Sequence, residues 1–111
     1  MNDDFIIIEN ESKVYRIKKN EIFSIEVNSG ILTFRIDDGR KLTKTMTLKK
    51  GLEILPCFIK IYRNIAINKH RIKEICKTNR MIRLDNNVEF NVSSRNISKI
   101  RLADNKLRLA D

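Results

Sequence analysis

The chain has 111 residues, 41% of them hydrophobic, and a formal net charge of +9. That length describes one small domain, here read as spanning 1–111, with enough apolar content for a real core. No apolar run approaches the ~20 residues of a membrane helix, and two acids precede the short run Phe5–Ile8, the wrong charge for a signal peptide.

Phe5 to Ile8 predicts a first strand near an edge. Lys13 to Lys18 predicts a second, with Tyr15 and Ile17 on one face and Arg16 and Lys18 on the other. Lys19-Asn20 is a turn signal. From Ile22 to Val27 the alternation puts Phe23, Ile25 and Val27 inward against Ser24 and Glu26. Asn28-Ser29-Gly30 is a turn cluster containing a residue tolerant of positive φ. Ile31 to Ile36 alternates Leu32, Phe34 and Ile36 against Thr33 and Arg35. Asp37-Asp38-Gly39-Arg40 is a hairpin turn, and the threonine-rich Lys41 to Thr47 is its return strand.

Thr47 is placed to cap a short helix that ends before Pro56, the only proline. Leu48, Leu52 and Leu55 recur at helical spacing, and Gly51 weakens the helix. Phe58 to Arg63 then reads as a strand, with Ile59 and Ile61 alternating against Lys60 and Tyr62. Arg63-Asn64 interrupts the pattern, and Ile65 and Ile67 resume it. Asn68 to Arg71 is polar and turn-like. Ile72 to Cys76 is ambiguous between strand and helix. Lys77 to Arg80 is a turn, Met81 to Leu84 a strand, and Asp85-Asn86-Asn87 a second hairpin signal. Val88, Phe90 and Val92 alternate against Glu89 and Asn91. Ser93 or Ser94 precedes a final helical turn over 95–100. The folded core is expected over about 13–101, with a polar tail over 102–111. Many short strands with frequent turn signals make a mostly-β domain.

The positive charge is unevenly placed. Residues 1–59 hold 10 Lys/Arg against 9 Asp/Glu, whereas residues 60–101 hold 11 against 3. Solubility does not require that asymmetry. A polyanionic partner does, because clustered Lys and Arg release counterions from nucleic acid. Enzymatic chemistry has little to work with. There is one histidine, His70, and it sits in a basic turn. No Gly-rich phosphate loop, metal-ligand spacing or nucleophile elbow is present, so no catalytic residue, metal or cofactor is expected. Cys57 and Cys76 form no CxxC pair, which points to a reduced, cytosolic protein.

Arg63-Asn64 and Arg95-Asn96 each follow the end of an alternating strand. Arg and Asn can bond bidentately to guanine and adenine edges. Neighbouring Lys60, Ser93 and Lys99 are suited to phosphates.

Residues from about Tyr15 to Ile100 resemble a LytTR-type DNA-binding domain of bacterial response regulators. The pieces that carry the resemblance are Ile25-Glu26 before the Asn28-Ser29-Gly30 turn, and Thr47-Leu48 to Leu55-Pro56. They continue with Phe58 to Asn64, Ile67-Asn68, Ile72 to Ile75, and Val92-Ser93-Ser94-Arg95. In such domains the middle block usually reads Phe-x-Arg-x-His-Arg-Ser, with Val-Asn a few residues on. Here Lys60 stands for the first arginine and Tyr62 for the histidine, Arg63 is kept, and Asn64 replaces the serine.

The resemblance implies an elongated, mostly-β arrangement of short antiparallel sheets with one or two short helices. It implies loops that read the major groove at promoter direct repeats, often as two protomers per site. By position, Arg63 and Arg95 match the DNA-reading residues, with Asn64 and Asn96 beside them. A third contact loop matches Asn28 to Gly30. Relatives often offer a histidine or asparagine near its end, where this chain has Gly30-Ile31, which leaves the contact to Asn28 or Ser29. The family domain usually follows a phospho-receiver domain, for which 111 residues leave no room. The expected partner is double-stranded promoter DNA, with a second protomer on it, and no membrane or small-molecule substrate. The alternative is a basic β module that binds RNA or a protein without reading DNA sequence. Aromatics are only 6% of residues, and RNA readers usually stack bases on exposed rings.

Overall fold

A computed structural model describes residues 4–103, the side chains of 101–103 excepted. Ten strands run in chain order: β1 Phe5–Glu9, β2 Val14–Lys18, β3 Ile22–Asn28, β4 Ile31–Ile36, β5 Lys41–Thr45, β6 Phe58–Tyr62, β7 Ile65–Asn68, β8 Ile72–Cys76, β9 Met81–Leu84 and β10 Glu89–Asn91. Helix α1, Leu48–Ile54, follows β5, and helix α2, Ser94–Ala103, follows β10. Single 3₁₀ turns, Lys19–Glu21 and Lys69–Arg71, lead into β3 and β8.

The strands form three antiparallel sheets: β1-β2, a central five-stranded sheet in the order β5-β4-β3-β7-β6, and β10-β9-β8. The particle is elongated, 48 × 30 × 24 Å along its principal axes. Local chemistry explains most of the elements. The β3–β4 hairpin pairs Asn28 with Ile31, leaving a two-residue loop. Ser29 and Gly30 both take positive φ there, 52° and 80°, the backbone twist that a tight antiparallel hairpin needs. Gly39, at φ 92°, closes the β4–β5 turn by donating its N–H to the Ile36 carbonyl at 2.9 Å. The Thr47 hydroxyl oxygen accepts from the Lys50 N–H at 3.1 Å and starts α1. Asn68 does the same for the second 3₁₀ turn, its side-chain oxygen accepting from the His70 N–H at 3.0 Å.

The central sheet is covered on both faces. One face packs with the β1-β2 hairpin and α1 around Ile8, Ile25, Leu32, Phe34 and Leu55. The other packs with β8–β10 and α2 around Phe23, Ile61, Ile67, Ile82, Leu84 and Ile100. Two strand irregularities serve this double burial. The β3–β4 register shifts between Ile22 and Ser24, so Phe23 has no partner across the ladder. The β6–β7 register shifts between Lys60 and Tyr62, leaving Ile61 likewise unpaired. Both extra residues belong to the second core.

This corrects the simple alternation expected in β3. Phe23 and Ile25 lie in different cores, and Ser24 is buried, not solvent-facing. Period-2 reasoning assumes an unbroken pleat, and the bulge breaks it. Ile72–Cys76, ambiguous in sequence, is a strand paired with β9. The last helix is longer than a single turn and runs to Ala103. The tail expected over 102–111 lies outside the described residues, except that 102–103 continue α2.

Candidate nucleic-acid interface

The antiparallel pairing of β3 with β7 brings two turns to one end of the central sheet. Glu26 pairs with Ile65, so the Arg63-Asn64 turn lies beside the β3–β4 hairpin loop. The Val27 N–H donates to the Asn64 carbonyl at 2.9 Å and ties the two together. The start of α2 is fixed to the same region, because the Ser93 N–H donates to the Ile61 carbonyl at 3.0 Å. Ser93 caps α2: its hydroxyl accepts from the Asn96 N–H at 3.2 Å and its carbonyl from the Ile97 N–H at 3.0 Å.

Between β6 and α2 lies an open concavity of about 750 Å³. Lys60, Tyr62 and Arg63 line it from β6 and its turn, and Ser93, Arg95, Asn96 and Lys99 line it from α2 and the residue before it. Ile59 and Ile100 supply apolar surface. Lys60, Arg63, Arg95 and Lys99 are exposed, and none forms an ion pair among the described residues. Four cations therefore converge on one concave surface, with no acid paired to them among the described residues. The first turn of α2 adds the positive end of a helix dipole.

Six of the nine residues singled out in the sequence, Lys60, Arg63, Ser93, Arg95, Asn96 and Lys99, line this concavity together. Arg95 and Asn96 do not sit on a loop. They ride in the first turn of α2, because Ser93 caps the helix just ahead of them. Asn64 is half-buried, with its carbonyl engaged by Val27. Asn28 and Ser29 are exposed at the neighbouring hairpin tip, outside the concavity, and the Asn28 side-chain amide donates to Glu26 at 3.4 Å.

The sequence pattern did not single out Tyr62, which is 38% exposed beside Lys60 and Arg63. Its signal was its place where relatives carry histidine. Arg71, counted among the basic residues of the second half, belongs elsewhere. Its guanidinium bonds Asp85, Asp37 and the Asn20 carbonyl at 2.7 to 3.1 Å, and its side chain is only 14% exposed. The hydrogen bond to Asp85, with help from Asp37, holds its protonation above the ordinary arginine range. Arg83 is likewise engaged by Glu74 and Glu89.

Three small antiparallel sheets thus frame a cationic concavity between a sheet turn and a capped helix. The sequence pattern of the LytTR DNA-binding domain family matches residues 12–103, and the chain belongs to that family, a class of DNA-binding domains in transcription regulation. Among solved structures, the chain is similar to the LytTR DNA-binding domain of a Bacillus cereus protein described as a methyl-accepting/DNA response regulator. The two share 16% identity with a TM-score of 0.74, over 88% of this chain and 94% of that one. No curated protein matches the chain. Among the described residues, no helix is long and apolar enough to cross a membrane.

Proposed function

We propose that this chain recognises specific duplex DNA sequences in promoters, with Arg63 and Arg95 reading base edges in the major groove. The observation that carries the reading is the unpaired state of these two arginines. They come from different elements, line one concavity, and have no acidic partner among the described residues. An arginine left free in this way can offer both its donors to guanine O6 and N7. Asn64 and Asn96 lie beside them as further base-contact candidates. Lys60, Ser93 and Lys99 surround them and suit phosphates, which set register without reading sequence. Asn28 or Ser29, at the adjoining hairpin tip, supplies a third contact. Direct repeats in the promoter would seat a second protomer.

The test begins with selection of duplex DNA from a random pool. Against the selected site, Arg63→Ala or Arg95→Ala should each lose about 1–3 kcal/mol of binding and relax preference at one position. Lys99→Ala should weaken binding to every sequence and reduce the salt slope by about 1. Wild-type affinity in both arginine variants defeats the assignment. Tighter binding to structured RNA than to any selected duplex would move the function to RNA.

A further inference from the structure

We propose that the end of the central sheet away from the DNA-facing turns holds a second binding site, for a small organic anion with an apolar, ring-sized body. A concavity of about 720 Å³ opens there, where the β1-β2 hairpin meets the end of α1 and the two 3₁₀ turns. The turn Lys19–Glu21 precedes β3 and the turn Lys69–Arg71 follows β7. In that antiparallel pair, these are the ends remote from Asn28 and Asn64. No residue lines both concavities.

The walls divide by chemistry. Half-buried Phe5 and exposed Pro56 give apolar surface, with Leu55 and Phe58 buried in the core behind them, and Lys18, Lys19 and His70 stand around it. The Arg16 guanidinium lies 3.9 Å from the centroid of the Phe5 ring and fixes its position. Neither lysine forms an ion pair with a described residue, and Lys19 is half-buried. Among the described lining residues Asp4 is the one carboxylate, and its backbone carbonyl accepts from the Lys19 N–H at 2.8 Å. Arg71 also lines the space, but it is held in ion pairs by Asp37 and Asp85. Among the described residues that line the space, Lys18 and Lys19 outnumber the one carboxylate, Asp4.

Small-molecule sites are mostly apolar concavities of about 300–1,000 Å³ with a few convergent polar groups. This one meets that description. Inorganic phosphate alone would leave the Phe5 and Pro56 surface bare, and a neutral ring would leave the lysines without a counter-charge. A single molecule that carries both features uses the whole site.

Cys57 lines the same space with an exposed thiol, whereas Cys76, half-buried at the end of β8, does not line it. The chain therefore carries its own reporter. The probe is 8-anilinonaphthalene-1-sulfonate, compared with the uncharged N-phenyl-1-naphthylamine. The sulfonate should bind at one saturable site, shift the amide resonances of Phe5, Lys19, Cys57 and His70, and slow alkylation of Cys57 but not of Cys76. Lys18→Ala with Lys19→Ala should weaken it by about tenfold, while Arg63→Ala leaves it unchanged. If the lysine variant fails to fold, the resonance shifts and the Cys57 protection, both read on wild type, decide the matter. Equal affinity for the uncharged probe, shifts centred on Arg63 and Arg95, or an unprotected Cys57 each overturns the site. Because the site shares nothing with the DNA-facing concavity, its failure and that of the DNA reading are separate results.

Discussion

Gly51 shows how a residue's role depends on what stands opposite it. In sequence it is a weak point in α1, since glycine disfavours helix by about 1 kcal/mol relative to alanine. In the fold it lets α1 settle onto the central sheet. A Cβ built there would lie 2.8 Å from Leu32 Cδ2 and 3.2 Å from Ile25 Cδ1, and both of those residues are fully buried. Overpacking of this kind costs about 1–3 kcal/mol, enough to outweigh the gain in propensity. Gly51→Ala should therefore lose about 1 kcal/mol in a urea melt. A raised midpoint would mean that α1 is free to shift outward. The cations obey the same logic. Arg63 and Arg71 look alike in sequence, eight positions apart in one basic stretch. One is left open to a partner, and the other is consumed by two aspartates.

At the scale of the element, α2 determines how the second arginine is presented. Ser93 closes its first turn, and Ile97 and Ile100 anchor it in the second core. Arg95 and Lys99 are four residues apart and so share one helical face. A helix holds them in a narrower range of positions than a loop would. Ser93→Ala should lower stability by about 1 kcal/mol in the absence of DNA, as loss of an N-cap does. That measurement separates capping from phosphate contact. If the melt is unchanged and only DNA binding weakens, the serine acts through phosphate alone.

Across the whole molecule, the two cores on opposite faces of one sheet need something to hold their edges together, and Arg71 does so. It links the β4–β5 turn through Asp37, the β9–β10 turn through Asp85, and the turn before β3 through the Asn20 carbonyl. Removing it breaks three connections and leaves Asp37 and Asp85 facing each other without a cation. Arg71→Ala should cost about 2–3 kcal/mol of stability. Arg71→Lys should recover little of it, because an ammonium cannot reproduce the guanidinium fork. Full rescue by lysine would reduce the role to simple charge.

Much of this protein is legible in its sequence because many of its signals are short-range. The Ser29-Gly30 loop, the Asp37–Arg40 turn and the Thr47 cap are each settled within about four residues, and the mostly-β class follows from them together with the alternation between them. The Phe58–Asn64 block and its echo at Arg95 were also visible, and with them six residues that line one concavity. What sequence could not resolve depends on contacts between distant segments. Phe23 and Ile61 leave the simple pleat because a second core waits on the far face of the sheet. Gly51 matters because Leu32 lies against it, and Arg71 is spent because Asp37 and Asp85 reach it from 34 and 14 residues away. Composition counts charges, but only the packed chain decides which of them remain free, since an ion pair needs its acid within a few ångströms in space.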